Sequence, residues 1–412
     1  MSALPSGSEL SRIIRRKVFY IPGYDPIPPR RYREIYRAEG AEQARISGYS
    51  LNLKPRARQD RGKSQNYGWG VATVMDGAET EAQVEVLIWS DIVQKSMGRS
   101  IVATYWQLVR TLWIYAVSSA LRRMLQIRNG PVIAGLYPIV FLSLQLVLGL
   151  VLGAIAGWIL WHLLGSWPLS LLAFLALAAG TLILFRRMDH RFYAYYLMHD
   201  YAFTAACGGA YPPQLEPRMA AFTARIREAL AQDWDEVLVV GHSSGAHLAV
   251  SVLSDLLRAD PPDAAQAPLA LLTLGQAVPM ASFLPTANRL RGDLRYLSAS
   301  DRLTWVDVSA PGDPCSFGLC DPVAVTGVAP TGQRWPLVIS AAFTRTLSPE
   351  KQRQLRHRWF RLHFQYLHAF DRPGDYDYFA ISAGPRTLAD RYRGRPHSPG
   401  RITRAVNRWT AT

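Results

Sequence analysis

The chain has 412 residues, enough for one large domain or two ordinary ones with a substantial buried core. Apolar residues make up 49% and charged residues 19%, which excludes both a disordered chain and one wholly embedded in a membrane. The formal charge of +15 rests on Arg, since only five of the 46 basic residues are Lys. They concentrate near the N-terminus, beside an apolar block and at the C-terminus, with no nucleic-acid motif. That distribution predicts contact with acidic lipid headgroups and no nucleic-acid partner. Cys207, Cys315 and Cys320 show no Cys-x-x-Cys spacing, so neither a disulfide framework nor a zinc site is expected, and a reducing compartment is. Residues 1–16 are polar and lack the apolar core of a secretory signal.

In chain order, Lys17-Val18-Phe19-Tyr20-Ile21 reads as a buried strand, and Pro22-Gly23-Tyr24-Asp25 as the loop after it. A helix is predicted over 31–45, and strands over 69–75 and 84–90. Residues 100–125 read as a helix rich in apolar and aromatic residues, including Tyr105, Trp106, Trp113 and Tyr115. It and the Tyr-rich stretch 192–201 suit either the bilayer surface or an ordinary core.

Between them, from Asn129 to Phe185, there is no Asp, Glu, Lys or Arg. A spanning helix needs roughly 20 apolar residues, so the block has room for two. Gly165-Ser166-Trp167-Pro168 marks the turn, and Trp158, Trp161 and Trp167 suit an interfacial belt. Spans are predicted over 139–163 and 168–185, with His162 at the interface. Arg122, Arg123 and Arg128 precede the pair, and Arg186, Arg187 and Arg191 follow it. The positive-inside rule keeps both clusters cytoplasmic. The chain therefore returns to the side it left, and one soluble domain can form from both flanks. Four segments follow: 1–128 and 188–390 as halves of the soluble domain, 129–187 as a transmembrane hairpin, and 391–412 as a basic, loop-like tail.

After the hairpin, a helix is predicted over 217–232, then a β-branched strand over 236–240, a helix over 246–258, and buried strands over 269–274 and 303–308. Residues 371–377 read as a loop. Strands alternating with helices predict an α/β fold with a mainly parallel sheet covered on both faces.

Gly241-His242-Ser243-Ser244-Gly245 falls between the strand at 236–240 and the helix that follows. A sharp strand-to-helix turn lifts a serine hydroxyl above the sheet, and its two glycines remove Cβ atoms that would clash. The helix N-terminus and the Ser244 N–H then face a developing oxyanion.

On these residues the chain resembles the α/β-hydrolase superfamily, lipases and esterases especially, over about 18–24 and 234–378, with the hairpin as an insertion. Leu271-Leu272-Thr273-Leu274-Gly275 looks like the next core strand. Phe19-Tyr20-Ile21-Pro22-Gly23-Tyr24 resembles the segment that supplies the second oxyanion donor, with Pro-Gly where the family has His-Gly. The resemblance implies Ser243 as nucleophile, an acid in a loop after a later strand, and a downstream His. Asp313, in Ala310-Pro311-Gly312-Asp313-Pro314, takes the acid role, with Asp321 as rival and Asp307 placed within its strand. His363 takes the base role ahead of His368, while His357 and His397 lie in Arg-rich sequence. Backbone N–H groups of Tyr24 and Ser244 would form the oxyanion hole. No cofactor and no metal is called for. The resemblance implies hydrolysis of an acyl ester or lipid; the hairpin makes the lipid bilayer the expected partner, and the Arg- and Ala-rich, Lys-poor composition predicts a bacterial inner membrane as address. The competing expectation is an inactive hydrolase fold that serves as a membrane-bound interaction module.

Overall fold

The computed structural model describes residues 13–55, 67–259 and 267–412. Eight strands form one sheet: β1 (Arg15–Ile21), β2 (Ser50–Lys54), β3 (Tyr67–Met75), β4 (Ala78–Val86), β5 (Glu236–His242), β6 (Leu269–Leu274), β7 (Thr304–Ser309) and β8 (Leu337–Ser340), in the order β2-β3-β4-β1-β5-β6-β7-β8. From β4 to β8 every pairing is parallel; β3 alone runs against its neighbours β2 and β4. The architecture is α/β, as the alternation of elements predicts.

The helices used below are, in chain order, α1 (Arg30–Ser47), α2 (Ser90–Met97), α3 (Ile101–Val117), α4 (Ala120–Met124), α5 (Asn129–Leu164), α6 (Trp167–Arg187), α7 (Asp189–Phe192), α8 (Ala194–Ala205), α9 (Glu216–Leu230), α10 (Gly245–Ala259), α11 (Val278–Ser282) and α12 (Asn288–Ala299). The sheet is buried on both faces. Val237 and Val239 of β5 pack with Phe222 of α9, Leu253 of α10 and Leu294 of α12. Leu238 and Val240 point the other way, toward Tyr32 and Tyr36 of α1 and toward Tyr366 and Phe379. Alternation of Cβ direction along the strand produces this division.

Segments on either side of the apolar block share this sheet, because β1 pairs with β4 on one edge and with β5 on the other. Charges at the base of β1 are paired: the buried Arg16 guanidinium lies 2.7 Å from Glu236 of β5.

Several boundaries differ from the sequence reading. The strand expected over 84–90 runs over Ala78–Val86 and closes a hairpin with β3. Asp76 and Gly77 make the two-residue turn, with φ of 51° and 70°, as a type I′ turn requires. β2 and β8 were not expected; β2 alternates and is half exposed at an edge, and β8 has only four residues. The helix over 100–125 breaks at Ser119, whose φ is 63°, into α3 and α4. Residues 391–412 contain little regular structure, but they are tied down: Ser398 N–H donates to Val338 O, Ile402 bridges Cys320, and Val406 is buried.

Among the described residues two helices are long and apolar enough to cross a membrane, α5 and α6. They begin earlier and end later than expected; α5 can start ahead of Pro131 because that proline sits in its first turn, where its missing N–H costs nothing. Their contact is close and antiparallel. A Cβ on Gly153 would stand 2.6 Å from Phe174 O, with Gly149 against Ala178 and Gly157 against Ser170. Small residues four apart let two backbones approach in this way.

Candidate active site

In a parallel sheet the loops at the carboxyl ends of the strands form a crevice where the chain order reverses. Here that point lies between β1 and β5: from β1 the chain crosses to the edge at β2, comes back through β3 to β4 beside β1, and then passes to β5 on the other side of β1. The loop after β1 carries Tyr24, and the loop after β5 carries Ser243.

Ser243 has φ 57°, a left-handed conformation that costs a non-glycine residue energy. The turn is fixed from both sides. Ser243 N–H donates to Leu274 O at 2.9 Å, and Ser243 O accepts from Ala246 N–H at 3.1 Å. Gly245 lies against β1, where a Cβ would meet Ile21 O at 2.2 Å and Pro22 O at 2.6 Å. Thus a strained serine stands at a strand-to-helix turn that only a glycine-flanked sequence allows.

The two expected oxyanion donors differ in state. Among the described residues no acceptor lies opposite the Ser244 N–H. The Tyr24 N–H is engaged: it donates to Ser244 Oγ at 3.1 Å. As an oxyanion donor Tyr24 would have to exchange that partner.

Asp313 follows β7, and His363 ends the Trp359–His363 helix after β8. His363 Nδ1 lies 2.7 Å from Asp313 Oδ2, and both side chains are buried. Tyr366 OH donates to the same oxygen at 3.1 Å, and Cys315 N–H donates to Oδ1 at 2.9 Å. Burial alone would raise the Asp313 carboxyl; the charge and hydrogen bond of His363 and the Cys315 N–H outweigh it and hold the group below its usual value. The alternatives have other partners. Asp321 accepts from Val323 N–H and Ala324 N–H and pairs with Arg401. Asp307 lies within β7, bonded to Thr273, and burial raises its carboxyl to about 7. His368 Nδ1 bonds Phe364 O at 2.7 Å, and His397 Nδ1 accepts from Val338 N–H. His357 sits in a left-handed turn.

Ser243 and His363 line one cavity of about 60 Å³, together with Tyr24, Asp200, Tyr196 and Phe360. The buried His363 Nε2 has no hydrogen-bond partner among the described residues. Ser243 Oγ makes no direct hydrogen bond to it, so the serine–imidazole contact is open in this form. Such contacts commonly tighten only when a substrate binds.

Three residues of the site were not singled out for it in the sequence. His242 stacks on His363, with ring centroids 4.9 Å apart. Tyr366 holds Asp313. Asp200, on α8, lines the cavity, where burial raises its carboxyl to about 7 against the opposing effect of His363. The signal for His242 was its place beside the serine; nothing local marks Asp200.

Asp313, Cys315 and His363 offer donor atoms within 4.8 Å of one another, a candidate metal set. Its chemistry fits poorly. Burial keeps the Cys315 thiol far above its usual range and therefore protonated, whereas a metal takes the thiolate. The imidazole nitrogen facing the trio is already bonded to Asp313. Comparison of the chain with family models, with curated proteins and with solved structures gave no match.

Proposed function

We propose that this protein is a membrane-anchored serine hydrolase of the α/β-hydrolase type that cleaves carboxylic ester or thioester bonds of acyl substrates. One observation carries the reading: a strained serine shares a cavity with the unpaired nitrogen of an imidazole whose other nitrogen is held by a buried carboxylate. His363 would take the Ser243 proton through Nε2 as the oxygen attacks the acyl carbon. Asp313 fixes the tautomer and stabilises the imidazolium. The Ser244 N–H stabilises the oxyanion, a donor of the kind worth about 3 kcal/mol. His363 then protonates the leaving group, and water attacks the acyl-enzyme by the reverse path.

Helix lengths support the anchor. α6 has 21 residues, ~32 Å at about 1.5 Å each, which matches a hydrocarbon core of ~30 Å. α5 has 36 residues, ~54 Å, so its first turns continue past the bilayer into the soluble domain. Val132 and Leu142, near that end, are buried by the domain, whereas Leu163, Trp167 and Leu172 near the turn are largely exposed. The Arg clusters flanking the pair support a cytoplasmic sheet under the positive-inside rule, in a bacterium at the inner membrane.

An open serine–imidazole contact and an engaged Tyr24 N–H favour the second reading, an inactive interaction module. Labelling by a fluorophosphonate probe in isolated membranes separates the two. Wild type should label and Ser243→Ala should not. Absence of labelling in wild type would leave the interaction module.

A further inference from the structure

Beside the catalytic cavity lies a second one with an almost wholly apolar wall. It forms where α3, α4, the first turns of α5 and α8 meet, with Met124, Gly135, Ile139 and Met198 in its lining. Pro131, Tyr201 and Met280 belong to both cavities, so only side chains separate this seam from Ser243 and His363. The open volume is about 30 Å³, room for only two or three waters. An occupant therefore enters by parting α3 from α5.

The outer surface of α3 indicates what that occupant is. Val102, Trp106, Val109, Trp113 and Val117 recur at helical spacing, and each is more than half exposed. Thr104, Leu108, Thr111 and Tyr115 face inward. The helix thus turns its more apolar stripe outward, including two tryptophans of the kind that settle at a bilayer interface. It lies beside the end of α5 that emerges from the bilayer. Water is a poor solvent for such a stripe, and the acyl region of the adjoining leaflet is a good one.

We infer that the seam binds one acyl chain of a bilayer lipid, drawn sideways from the leaflet between α3 and α5, and that the substrate of Ser243 is a long-chain acyl ester taken from the membrane. The catalytic half of this statement rests on the hydrolase reading; the chain-binding half does not. With the chain in the seam, the ester carbonyl lies in the shared cavity. Ser243 oxygen bonds to the acyl carbon, the carbon–oxygen bond to the alcohol breaks, and the alcohol leaves with the proton from His363. Water then releases the fatty acid and restores the serine.

Gly135 supplies the test. A Cβ there meets nothing nearer than Tyr201 at 4.0 Å, so Gly135→Phe fills the seam without a backbone clash. Gly180→Phe adds the same bulk on α6, where nothing lies within 4 Å, and serves as control. Full-length protein in detergent micelles is assayed on p-nitrophenyl palmitate and p-nitrophenyl acetate, and separately crosslinked with a diazirine-bearing palmitic acid. Expected are a palmitate-to-acetate rate ratio at least about tenfold lower in Gly135→Phe than in the control, and loss of crosslinks on the α5 and α8 peptides. An unchanged ratio, or crosslinks that are absent from wild type or unaffected by Gly135→Phe, overturns the inference. Seam crosslinks lost in Gly135→Phe, with no ester hydrolysed and Ser243 unlabelled, would uphold chain binding while the hydrolase reading fails.

Discussion

His242 lies face to face with His363, the ring planes 28° apart and the centroids 4.9 Å apart. Its Nε2–H donates to the His363 carbonyl at 3.1 Å, which leaves Nδ1 to accept from Tyr20 OH at 3.3 Å. Burial, helped by the charge of His363, lowers His242 to about 3, so it remains neutral beside that imidazole. On the hydrolase reading His242 is a positioning residue. His242→Phe keeps a ring in the stack and removes both hydrogen bonds. The expected result is a fall in kcat of about 10- to 100-fold with little change in KM, since a small displacement of the base has that effect. Steady-state kinetics on a short acyl ester checks this; an unchanged kcat in folded protein would reduce His242 to packing.

Asp313→Asn should cost more, on the order of 10⁴ in kcat, because the amide can donate to Nδ1 and select the wrong tautomer. The same variant tests a stability claim. The Asp313 carboxyl is held below its ordinary value, so its contribution to stability is present above about pH 4 and is lost as pH falls through the lowered value. Wild type should melt above Asp313→Asn at neutral pH, and the gap should close in acid. A gap independent of pH would contradict the assigned pairing.

Gly245→Ala should fail for a steric reason. The added methyl would overlap two backbone oxygens of the β1 loop, at 2.2 and 2.6 Å, and backbone cannot move as a side-chain tip can. A cost of about 3 kcal/mol or more is expected, at the upper end of overpacking effects. Gly180→Ala, with open space around it, should melt within about 1 °C of wild type in the same detergent.

Much of this was legible in the sequence for identifiable reasons. Central strands such as Glu236–His242 are buried on both faces, so continuous β-branched runs reveal them. Edge strands carry less signal. Ser50–Lys54 is half polar, and Ala78–Val86 alternates with Glu and Gln, so its best marker was the Asp76-Gly77 turn. At the site, Ser243 is marked by local turn chemistry, and Asp313 and His363 by chain order after it. Tertiary contact, which no local pattern encodes, brings Tyr366 onto Asp313 and Asp200 into the cavity. The Gly149, Gly153 and Gly157 spacing was present in the sequence, but hydropathy dominates that stretch and hides it.

That spacing makes its own prediction. Gly153→Leu puts a side chain where Phe174 O lies 2.6 Å from the Cβ position, so α5 and α6 must separate. On the anchor reading, association of the pair in a bilayer depends on close packing rather than on the hydrophobic effect, and it should weaken by about 1–3 kcal/mol. The sheet draws its strands from outside the pair, so Ser243 labelling should persist in detergent while the melting temperature falls. Loss of labelling together with melting would mean that the two units fold as one.

Asp200 gives the pH dependence its sign. Its carboxyl, ordinarily near 3.8, is raised by burial to about 7. A group whose folded value is raised contributes stability that is complete below the unfolded value and lost as pH rises through the folded one. Wild type should therefore lose stability relative to Asp200→Asn between about pH 4 and 7, and melt lower than the variant at about pH 8. Tyr24, Tyr196 and Cys315 around it are all raised by burial and stay neutral there, so they do not mask the effect. Catalysis should show a matching alkaline limb, because a carboxylate in the cavity repels the forming oxyanion. Asp200→Asn should remove that limb and raise the rate at about pH 8 relative to wild type. Melting curves and pH–rate profiles of the two proteins measure both effects, and parallel curves across the range would place the Asp200 charge outside the cavity.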